Sequence, residues 1–469
     1  MEIFIKASQF LLSLSFLIVL HELGHFIPAR LFKTRVEKFF LFFDIKGALF
    51  QKKIGETVYG IGWLPLGGYV KIAGMIDESM DKEQMAKPAQ PWEFRSKPAW
   101  QRLIIMLGGV TVNLILGVVI YGMIFFVWGD RDLRIDRLPY GLNYVEPLER
   151  MGLQDGDILL SLGDEPVQGV DDFRRAAFGS NVTQAEVMRN GMRQTVNFPV
   201  DLGQFLIDES ANLPKGEAPF SVNFPALVDR ISPGSNAAAA GLQPGDRITS
   251  IQNVATPFFF DVVTELAKFK EQQGIAIGVQ RTPEEVGADV QVDRIAQPLP
   301  ANNGNITLYA DVDVDGKLGF FPVPFEGLDG FEFEEKEYGF ISAMAGGADK
   351  AATTLTNYVS SLKYLFRPGG SKQLGGFITL GSIFSPEWNW QSFWNITALL
   401  SIILAFMNLL PIPALDGGHV VFLLYEMVSG RKPGEKVMEY GQLLGLLFVG
   451  ALMLVANGND LWKWFTGQL

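Results

Sequence analysis

The stretch from residue 5 to residue 28 reads IKASQFLLSLSFLIVLHELGHFIP, an apolar run long enough to form a membrane-spanning helix. A helix crosses about 30 Å of hydrocarbon with roughly 20 residues. The end of this run carries three ionisable side chains, His21, Glu22 and His25. Such groups are costly inside a span, so they persist mainly where they are paired, bound to a metal or in contact with water. The stretch therefore predicts both a span and a functional site.

The composition is that of a membrane protein with soluble parts. Of the 469 residues 48% are hydrophobic, and further apolar runs long enough for a span occur at residues 103–128, 393–412 and 438–456. The 51 acidic and 39 basic residues give a net charge of −12, which argues against a nucleic-acid partner because phosphates require a basic surface. Without cysteine, and with His419 as the only histidine besides those at 21 and 25, thiolate chemistry is excluded and imidazole chemistry is restricted to three positions.

The distribution of lysine and arginine predicts the orientation of the four spans. Basic residues are frequent between residues 31 and 99 and recur at Arg431, Lys432 and Lys436 before the last span. Both connectors are therefore expected to be cytoplasmic, because basic loops tend to stay inside. Four spans then place both termini, and the large insert between the second and third spans, on the opposite side of the membrane.

This insert contains a tandem repeat. GLQDGD at residues 152–157 recurs as GLQPGD at residues 241–246, and each copy continues into alternating apolar residues and then a helical pattern. The pattern GLxxGDxIxxI resembles PDZ domains of bacterial envelope proteases, so we expect two PDZ-like domains at residues 130–215 and 220–325. PDZ domains bind extended chain ends by adding a strand to a sheet edge. A spacer without a ligand is the alternative, since folds are often reused.

Residues 338–390 are expected to form an amphipathic linker. Leu355, Val359 and Leu362 recur at helical spacing, which favours a helix lying on the membrane surface. Packing of this helix against the PDZ-like domains is the alternative.

The charged group in the first span has the HExxH pattern of zinc peptidases. Residues four apart share one face of a helix, so His21 and His25 can bind one ion together while Glu22 lies beside them. In such enzymes the two imidazoles are zinc ligands, and the carboxylate accepts a proton from the attacking water.

A catalytic zinc ion commonly has a third protein ligand. The stretch NLLPIPALDGGH at residues 408–419 follows the third span, and its two prolines predict a broken helix that could line a shared site. Asp416 and His419 are both candidates, and metal preference alone does not separate them.

HELGH at residues 21–25 together with N-x-x-P-x-P-x-x-D-G at residues 408–417 resembles the site-2 protease family of intramembrane zinc metalloproteases. The resemblance covers nearly the whole chain and includes GGYVK at residues 67–71. It implies one Zn²⁺ ion with Asp416 as its third ligand, and a structural or supporting role for His419.

The same resemblance implies a substrate-binding region. GGYVK would belong to a membrane-reentrant β element within a cytoplasmic-side loop at residues 31–102, and its edge would pair with the substrate backbone. A simple amphipathic hairpin is the alternative for this element. Asn408 would hold substrate backbone or cap the broken helix, and Asn113 would support the metal site or form an interhelical hydrogen bond. The predicted substrate-binding residues are Gly67, Gly68, Tyr69 and Asn408.

The sequence thus predicts a polytopic α-helical membrane protein with about four transmembrane helices, a membrane-reentrant β element and two tandem PDZ-like α+β domains. The expected segments in chain order are 1–30, 31–102, 103–128, 130–215, 220–325, 338–390, 391–435 and 436–469. The first carries HExxH, the seventh carries the third span with the aspartate motif, and the eighth carries the fourth span.

The family implies an intramembrane zinc metalloendopeptidase of the bacterial inner membrane. The PDZ-like domains and both termini would be periplasmic, and the active site would lie toward the cytoplasmic side. Expected partners are the lipid bilayer and single-span membrane proteins, such as a pre-trimmed anti-sigma factor or signal-peptide remnants. Two other classes are a metal-free receptor that sorts partners through its PDZ-like domains and a zinc-dependent transporter. Ionisable groups that converge on the first and third spans favour the protease.

Overall fold

In chain order, long apolar helices lie before and after a stretch of short strands, as the hydrophobic pattern predicts. The computed structural model describes residues 2–65, 67–75, 88–179, 181–210, 220–281, 305–362 and 374–465. The helices are α1 (Glu2–Leu31), α2 (Ala99–Trp128), α3 (Glu146–Arg150), α4 (Val170–Gly179), α5 (Leu202–Ser210), α6 (Asn236–Ala239), α7 (Phe259–Ala267), α8 (Phe340–Leu362), α9 (Phe377–Ser382), α10 (Trp390–Leu409), α11 (Asp416–Ser429) and α12 (Glu435–Phe465).

Within the described ranges, the strands lie between residue 36 and residue 336, and three short 3₁₀ helices accompany them. The strands are β1 (Val36–Leu41), β2 (Phe43–Ile54), β3 (Thr57–Leu64), β4 (Tyr69–Ile72), β5 (Asp130–Leu133), β6 (Leu142–Tyr144), β7 (Ile158–Leu162), β8 (Glu165–Pro166), β9 (Gln184–Arg189), β10 (Met192–Asn197), β11 (Phe220–Val222), β12 (Val228–Ile231), β13 (Arg247–Ile251), β14 (Val254–Ala255), β15 (Ile275–Gln280), β16 (Asn305–Ala310), β17 (Phe320–Pro322) and β18 (Phe333–Lys336). The 3₁₀ helices are Phe94–Ser96, Ile135–Arg137 and Phe325–Gly327.

The chain divides into two compact units. One unit contains Met1–Asp130 and Lys336–Leu469, and the other contains Arg131–Glu335. The second unit is thus the large insert that the sequence places between the second and third spans.

Four of the helices in the described ranges are long and apolar enough to cross a membrane: α1, α2, α10 and α12. Their outward faces are apolar, and on α12 the side chains of Leu444, Leu447 and Leu454 are more than half exposed. A helix with apolar residues on its exposed face is suited to lipid. The prediction of a polytopic membrane protein with four spans is therefore confirmed.

Small and hydroxylated residues hold the spans of the first unit close together. At the crossing of α1 and α2, a Cβ added to Gly24 would lie 2.4 Å from the carbonyl oxygen of Gly108, so the two backbones are in contact. Further toward the start of α1, Thr397 Oγ1 on α10 donates a hydrogen bond of 2.9 Å to Ser13 Oγ. Close backbone approach and interhelical hydrogen bonds of this kind stabilise helix packing in membranes, where hydrophobic burial is not available.

Helix α8 packs against α2 and α10, and its position on a membrane surface stays a prediction. It buries Ala343, Gly347 and Ala351, which are spaced four residues apart on one face. A Cβ on Gly347 would lie 2.4 Å from the backbone nitrogen of Gly122 on α2. At its far end, the ring of Tyr358 lies 5.8 Å from the ring of Phe406 on α10. Small residues every four positions permit this close approach of the helices. The sequence prediction considered only the larger apolar residues of α8 and therefore missed this signal.

The first unit also contains a four-stranded sheet with the order β2-β3-β1-β4. Strands β1 and β3 are parallel, whereas β4 is antiparallel to β1 and lies at one edge of the sheet. The β2-β3 hairpin exposes large apolar side chains, with Leu49 73% and Trp63 51% accessible. Such a surface is suited to lipid contact, which is in keeping with the reentrant element that the family implies; its position in the membrane stays a prediction.

The second unit is built from two modules of the same topology. Their sheets have the orders β10-β9-β7-β8 and β14-β13-β15-β16, and helices α4 and α7 stand at equivalent places in the chain. Each module gains a later strand, since β11 pairs with β6 and β17 pairs with β12. The strand at Phe220–Val222 therefore pairs with the first module, beyond the limit of residue 215 that the sequence suggested. Assignment of the modules as PDZ domains stays a prediction.

The repeated Gly-Asp turn is held by a buried ion pair in both modules. Asp157 is 1% exposed and accepts two hydrogen bonds from Arg189, of 2.7 and 2.6 Å. Asp246 is also 1% exposed and accepts two bonds of 2.7 Å from Arg281. Arg189 is the last residue of β9, and Arg281 directly follows β15. Neither arginine belongs to the repeated Gly-Asp motif, so the repeat indicated the aspartates but not their partners.

Candidate metal centre

Helix α1 brings His21 and His25 together in the way that their spacing predicts. Their Nε2 atoms are 3.3 Å apart, and the residues are 9% and 7% exposed. His25 Nδ1 lies 2.8 Å from the backbone carbonyl oxygen of Ile105 on α2. An N–H at Nδ1 donates to that carbonyl, which leaves the Nε2 lone pair free to bind a metal ion.

Asp416 reaches this pair because the polypeptide breaks after α10. The helix ends at Leu409, and α11 begins with Asp416 itself. Pro411 and Pro413 lie in the intervening loop, and prolines cannot continue a helix because they lack the N–H donor. Asp416 Oδ2 lies 3.3 Å from the Nε2 atoms of both histidines.

The three donor atoms fit a zinc ion. They form a triangle whose sides are all 3.3 Å. Zinc is usually tetrahedral with bonds of about 2.0–2.1 Å to nitrogen and carboxylate oxygen, and this geometry separates its ligand atoms by about 3.3–3.4 Å. Asp416 Oδ2 is buried without a hydrogen-bond partner, which is costly unless a cation or donor satisfies it. Two imidazoles and one carboxylate with an open position are typical of catalytic zinc sites.

Asn113 on α2 lies against the other imidazole. Its Nδ2 atom is 3.1 Å from His21 Nδ1, while its Oδ1 atom is buried without a partner. If Asn113 Nδ2 donates to His21 Nδ1, the proton of the neutral imidazole must be on Nε2, where it faces the carboxylate of Asp416. Turning the amide by 180° lets Oδ1 accept the Nδ1–H and frees Nε2 for the metal, so metal binding selects this orientation. Asn113 is thus placed to orient His21.

Gly109 of α2 makes room for the imidazoles, a feature that sequence reasoning missed. A Cβ on Gly109 would lie 2.4 Å from His25 Nε2 and 2.5 Å from His21 Cε1. Neighbouring Gly108 forms the backbone contact with α1 at Gly24. The adjacent glycines Gly108 and Gly109 in the apolar run of the second span were the sequence signal that could have indicated this close packing.

Glu22 opens onto a cavity beside the three donors. The cavity has a volume of about 490 Å³, and its lining includes Glu22, His419 and Gln442 as well as all three donor residues. Glu22 is 9% exposed. A carboxylate beside the donor set, in a cavity large enough for a peptide segment, is placed to exchange a proton with a reacting group.

Strand β4 forms another wall of this cavity, and Gly68 and Tyr69 are in the lining. A Cβ on Gly68 would lie 2.4 Å from Ile18 Cγ2 on α1 and 2.8 Å from the carbonyl oxygen of Phe40, so only glycine fits there. Two of the four predicted substrate-binding residues, Gly68 and Tyr69, therefore line the cavity. Gly67 lies directly before Gly68 in the chain and Asn408 lies in the last turn of α10, and neither is part of the lining.

A charged pair at the cavity wall fixes the start of β2 against β4. Lys38 Nζ donates to Asp44 Oδ2 at 2.8 Å, and Tyr69 Oη donates to Asp44 Oδ1 at 2.7 Å. Burial raises the pKa of Asp44, but the hydrogen bonds from Lys38 and Tyr69 outweigh it and hold this pKa below its usual value. The carboxylate is therefore ionised near neutral pH.

Comparisons with known proteins agree with this geometry. The family model described as Peptidase family M50 matches residues 9–452. The regulator of sigma-E protease RseP of Escherichia coli is 27% identical, over 97% of this chain and 97% of its own length. Protease RseP of Yersinia pestis is 28% identical, over 98% and 99%. A protein of Neisseria meningitidis that carries a zinc metalloprotease name is 28% identical, over 96% and 97%.

The matched region includes HELGH in α1, the aspartate motif before α11 and the whole insert between them. The resemblance to the site-2 proteases is thereby confirmed, and the names of the relatives imply zinc. This chain belongs to peptidase family M50, the site-2 type of zinc metalloprotease.

Proposed function

We propose that the protein is an intramembrane zinc metalloendopeptidase that hydrolyses peptide bonds within the spans of single-span membrane proteins. The observation that carries this proposal is the triangle of His21, His25 and Asp416 donor atoms, with Glu22 beside it, at the meeting of membrane-spanning helices. Buried groups of this kind are costly without an ion, and their arrangement suits hydrolysis.

His21, His25 and Asp416 hold the ion, which when bound supplies Lewis-acid activation of water and of the peptide carbonyl. Glu22 accepts the proton of the attacking water on its carboxylate and then returns it to the leaving amine. The carbonyl of Ile105 and the amide of Asn113 keep the imidazoles oriented during these steps.

Strand β4 supports binding of the substrate in an extended form. A helical span hides its peptide bonds because each backbone group is bonded internally, so the substrate must unwind before cleavage. Among the described residues, β4 is the last strand of its sheet and borders the cavity, which places it for strand addition by a substrate. Gly68 allows this edge to approach α1 close to Glu22, whose Cγ lies 3.5 Å from the Cβ position of residue 68.

The decisive experiment compares wild type with Glu22→Gln, each purified in detergent with its bound zinc measured. We expect the variant to keep zinc and to lose about 10²- to 10⁴-fold in cleavage of a labelled single-span substrate, the usual contribution of a general base. Glu56→Gln is the matched control, because Glu56 is a 60% exposed partner of Arg30. Equal cleavage by wild type and Glu22→Gln would refute the assignment.

The sequence and the relatives support a more specific physiological proposal. The protein would reside in a bacterial inner membrane with the PDZ-like modules periplasmic, and it would act on a pre-trimmed anti-sigma factor or on signal-peptide remnants. The modules would exclude untrimmed substrates or bind new chain ends. Deletion of residues 130–325 should then abolish the preference for trimmed over intact substrate, and an unchanged preference would contradict this role.

A further inference from the structure

We propose that α12, which contributes none of the three predicted zinc ligands, positions the loop that carries Asp416 through Gln442 and Gly445. This inference rests on the proposed zinc site and adds a helix to the machinery that builds it. The metal site would then depend on residues of α1 and α12, two helices that are distant in the sequence.

The loop before Asp416 has a backbone that needs support. Ala414 adopts a φ of +83°, in the left-handed region that residues with a Cβ rarely occupy. Such conformations persist where the surrounding structure holds them. Gln442 on α12 supplies this restraint, because its Oε1 accepts a hydrogen bond of 3.3 Å from the backbone nitrogen of Ala414. Gln442 is 5% exposed and lines the cavity.

A second contact presses the backbone of α12 against the same loop. A Cβ on Gly445 would lie 1.5 Å from the carbonyl oxygen of Pro413 and 2.2 Å from its carbonyl carbon. Both atoms belong to the backbone, so no rotation of a side chain can relieve the overlap. Five residues further along the helix, a Cβ on Gly450 would meet no atom within 4 Å. The need for glycine is therefore specific to the place where α12 meets the loop.

The metal site has little tolerance for movement of this loop. Asp416 follows Ala414 by two residues, and its Oδ2 atom completes a triangle with sides of 3.3 Å. Ligand distances in working sites stay within about 0.2 Å of their ideal values. A loop shift of a few tenths of an ångström therefore weakens binding, although no ligand is removed.

The first test uses two glycine variants of the full-length protein in detergent. Bound zinc is measured by elemental analysis, and its release rate is measured with a chelator in excess. Gly445→Ala should release zinc about 10- to 100-fold faster than wild type, the range found when groups that support a ligand are altered. Gly450→Ala should match wild type. Equal release from both variants would overturn the inference.

The second test avoids steric damage by removing only the hydrogen-bond acceptor. Gln442→Leu should also release zinc faster, and Gln442→Glu, which keeps an oxygen acceptor, should restore retention. Gln9→Leu is the matched control, because Gln9 is fully buried in α1 and donates to the carbonyl of Ser385 at 2.8 Å, away from the cavity. The absorption spectrum of the cobalt-substituted protein should change for Gln442→Leu and not for Gln9→Leu.

The outcomes separate positioning from general stability. Faster zinc release from Gln442→Leu, with wild-type behaviour of Gln9→Leu at a similar melting temperature, supports the inference. Equal zinc loss from Gln442→Leu and Gln9→Leu would overturn it, because the loss of a buried hydrogen bond anywhere among the spans would then be the cause. A wild-type protein that binds no zinc would instead refute the proposed function itself.

Discussion

Replacement of Gly109 by alanine should weaken zinc binding without removing a ligand. The new Cβ would lie 2.4 Å from His25 Nε2 and 2.5 Å from His21 Cε1. Carbon and other heavy atoms normally approach to about 3.5–4.0 Å. One or both imidazoles must therefore retreat by about 1 Å, several times the tolerance of about 0.2 Å for metal ligands.

We expect zinc affinity to fall by about 100-fold, the upper end of the range for altered supporting groups, which corresponds to about 2.8 kcal/mol. The measurement is chelator competition on detergent-purified protein, together with cleavage of a labelled single-span substrate. Both should decline together, since the imidazoles serve binding and catalysis.

Gly117→Ala is the control on the same helix. A Cβ there would lie 2.5 Å from Cδ1 and 2.8 Å from Cγ1 of Ile402 on α10, so its nearest neighbour is a buried apolar side chain and not a donor residue. This variant should cost some thermal stability and leave zinc affinity unchanged. Wild-type zinc affinity in Gly109→Ala, or an equal loss in Gly117→Ala, would refute the steric reasoning.

Two further predictions concern charged groups outside the spans. The pKa of Asp44 is lowered in the folded protein, so its pair with Lys38 stabilises the fold above the unfolded carboxyl pKa of about 4 and is lost as pH falls through the folded value. Wild type should thus melt above Lys38→Met by a steady margin from about pH 8 to 5, and calorimetry should show this margin shrinking as the pH falls below about 4 and through the lowered pKa of Asp44. A margin that stays constant throughout the acid titration would contradict the pairing. Arg189→Leu should destabilise the first module by about 3–5 kcal/mol because it leaves Asp157 buried and unpaired. Hydrogen exchange across residues 131–335 would report this, and the exposed Arg230→Leu should have little effect.

The amino-acid sequence was enough to identify the class of the protein and two of its three donor residues, His21 and His25. Apolar length specifies the spans, because lipid offers no partner for backbone groups outside a helix. The four-residue spacing of His21 and His25 places both imidazoles on one face of α1 whatever the surroundings. The repeat of GLQDGD and GLQPGD likewise revealed two modules of one topology.

The contacts that complete these local patterns came from the three-dimensional structure. The residues alone left Asp416 and His419 open as the third donor, and the structure brings Asp416 to the histidines through a loop that contacts Gln442 of α12. The space for the imidazoles depends on Gly109 of α2. Helix α8 shows the same limit, since its place along the spans follows from small residues that fit one partner helix. Spacing along one helix is set by local geometry, whereas contacts between distant segments depend on which backbones can approach one another.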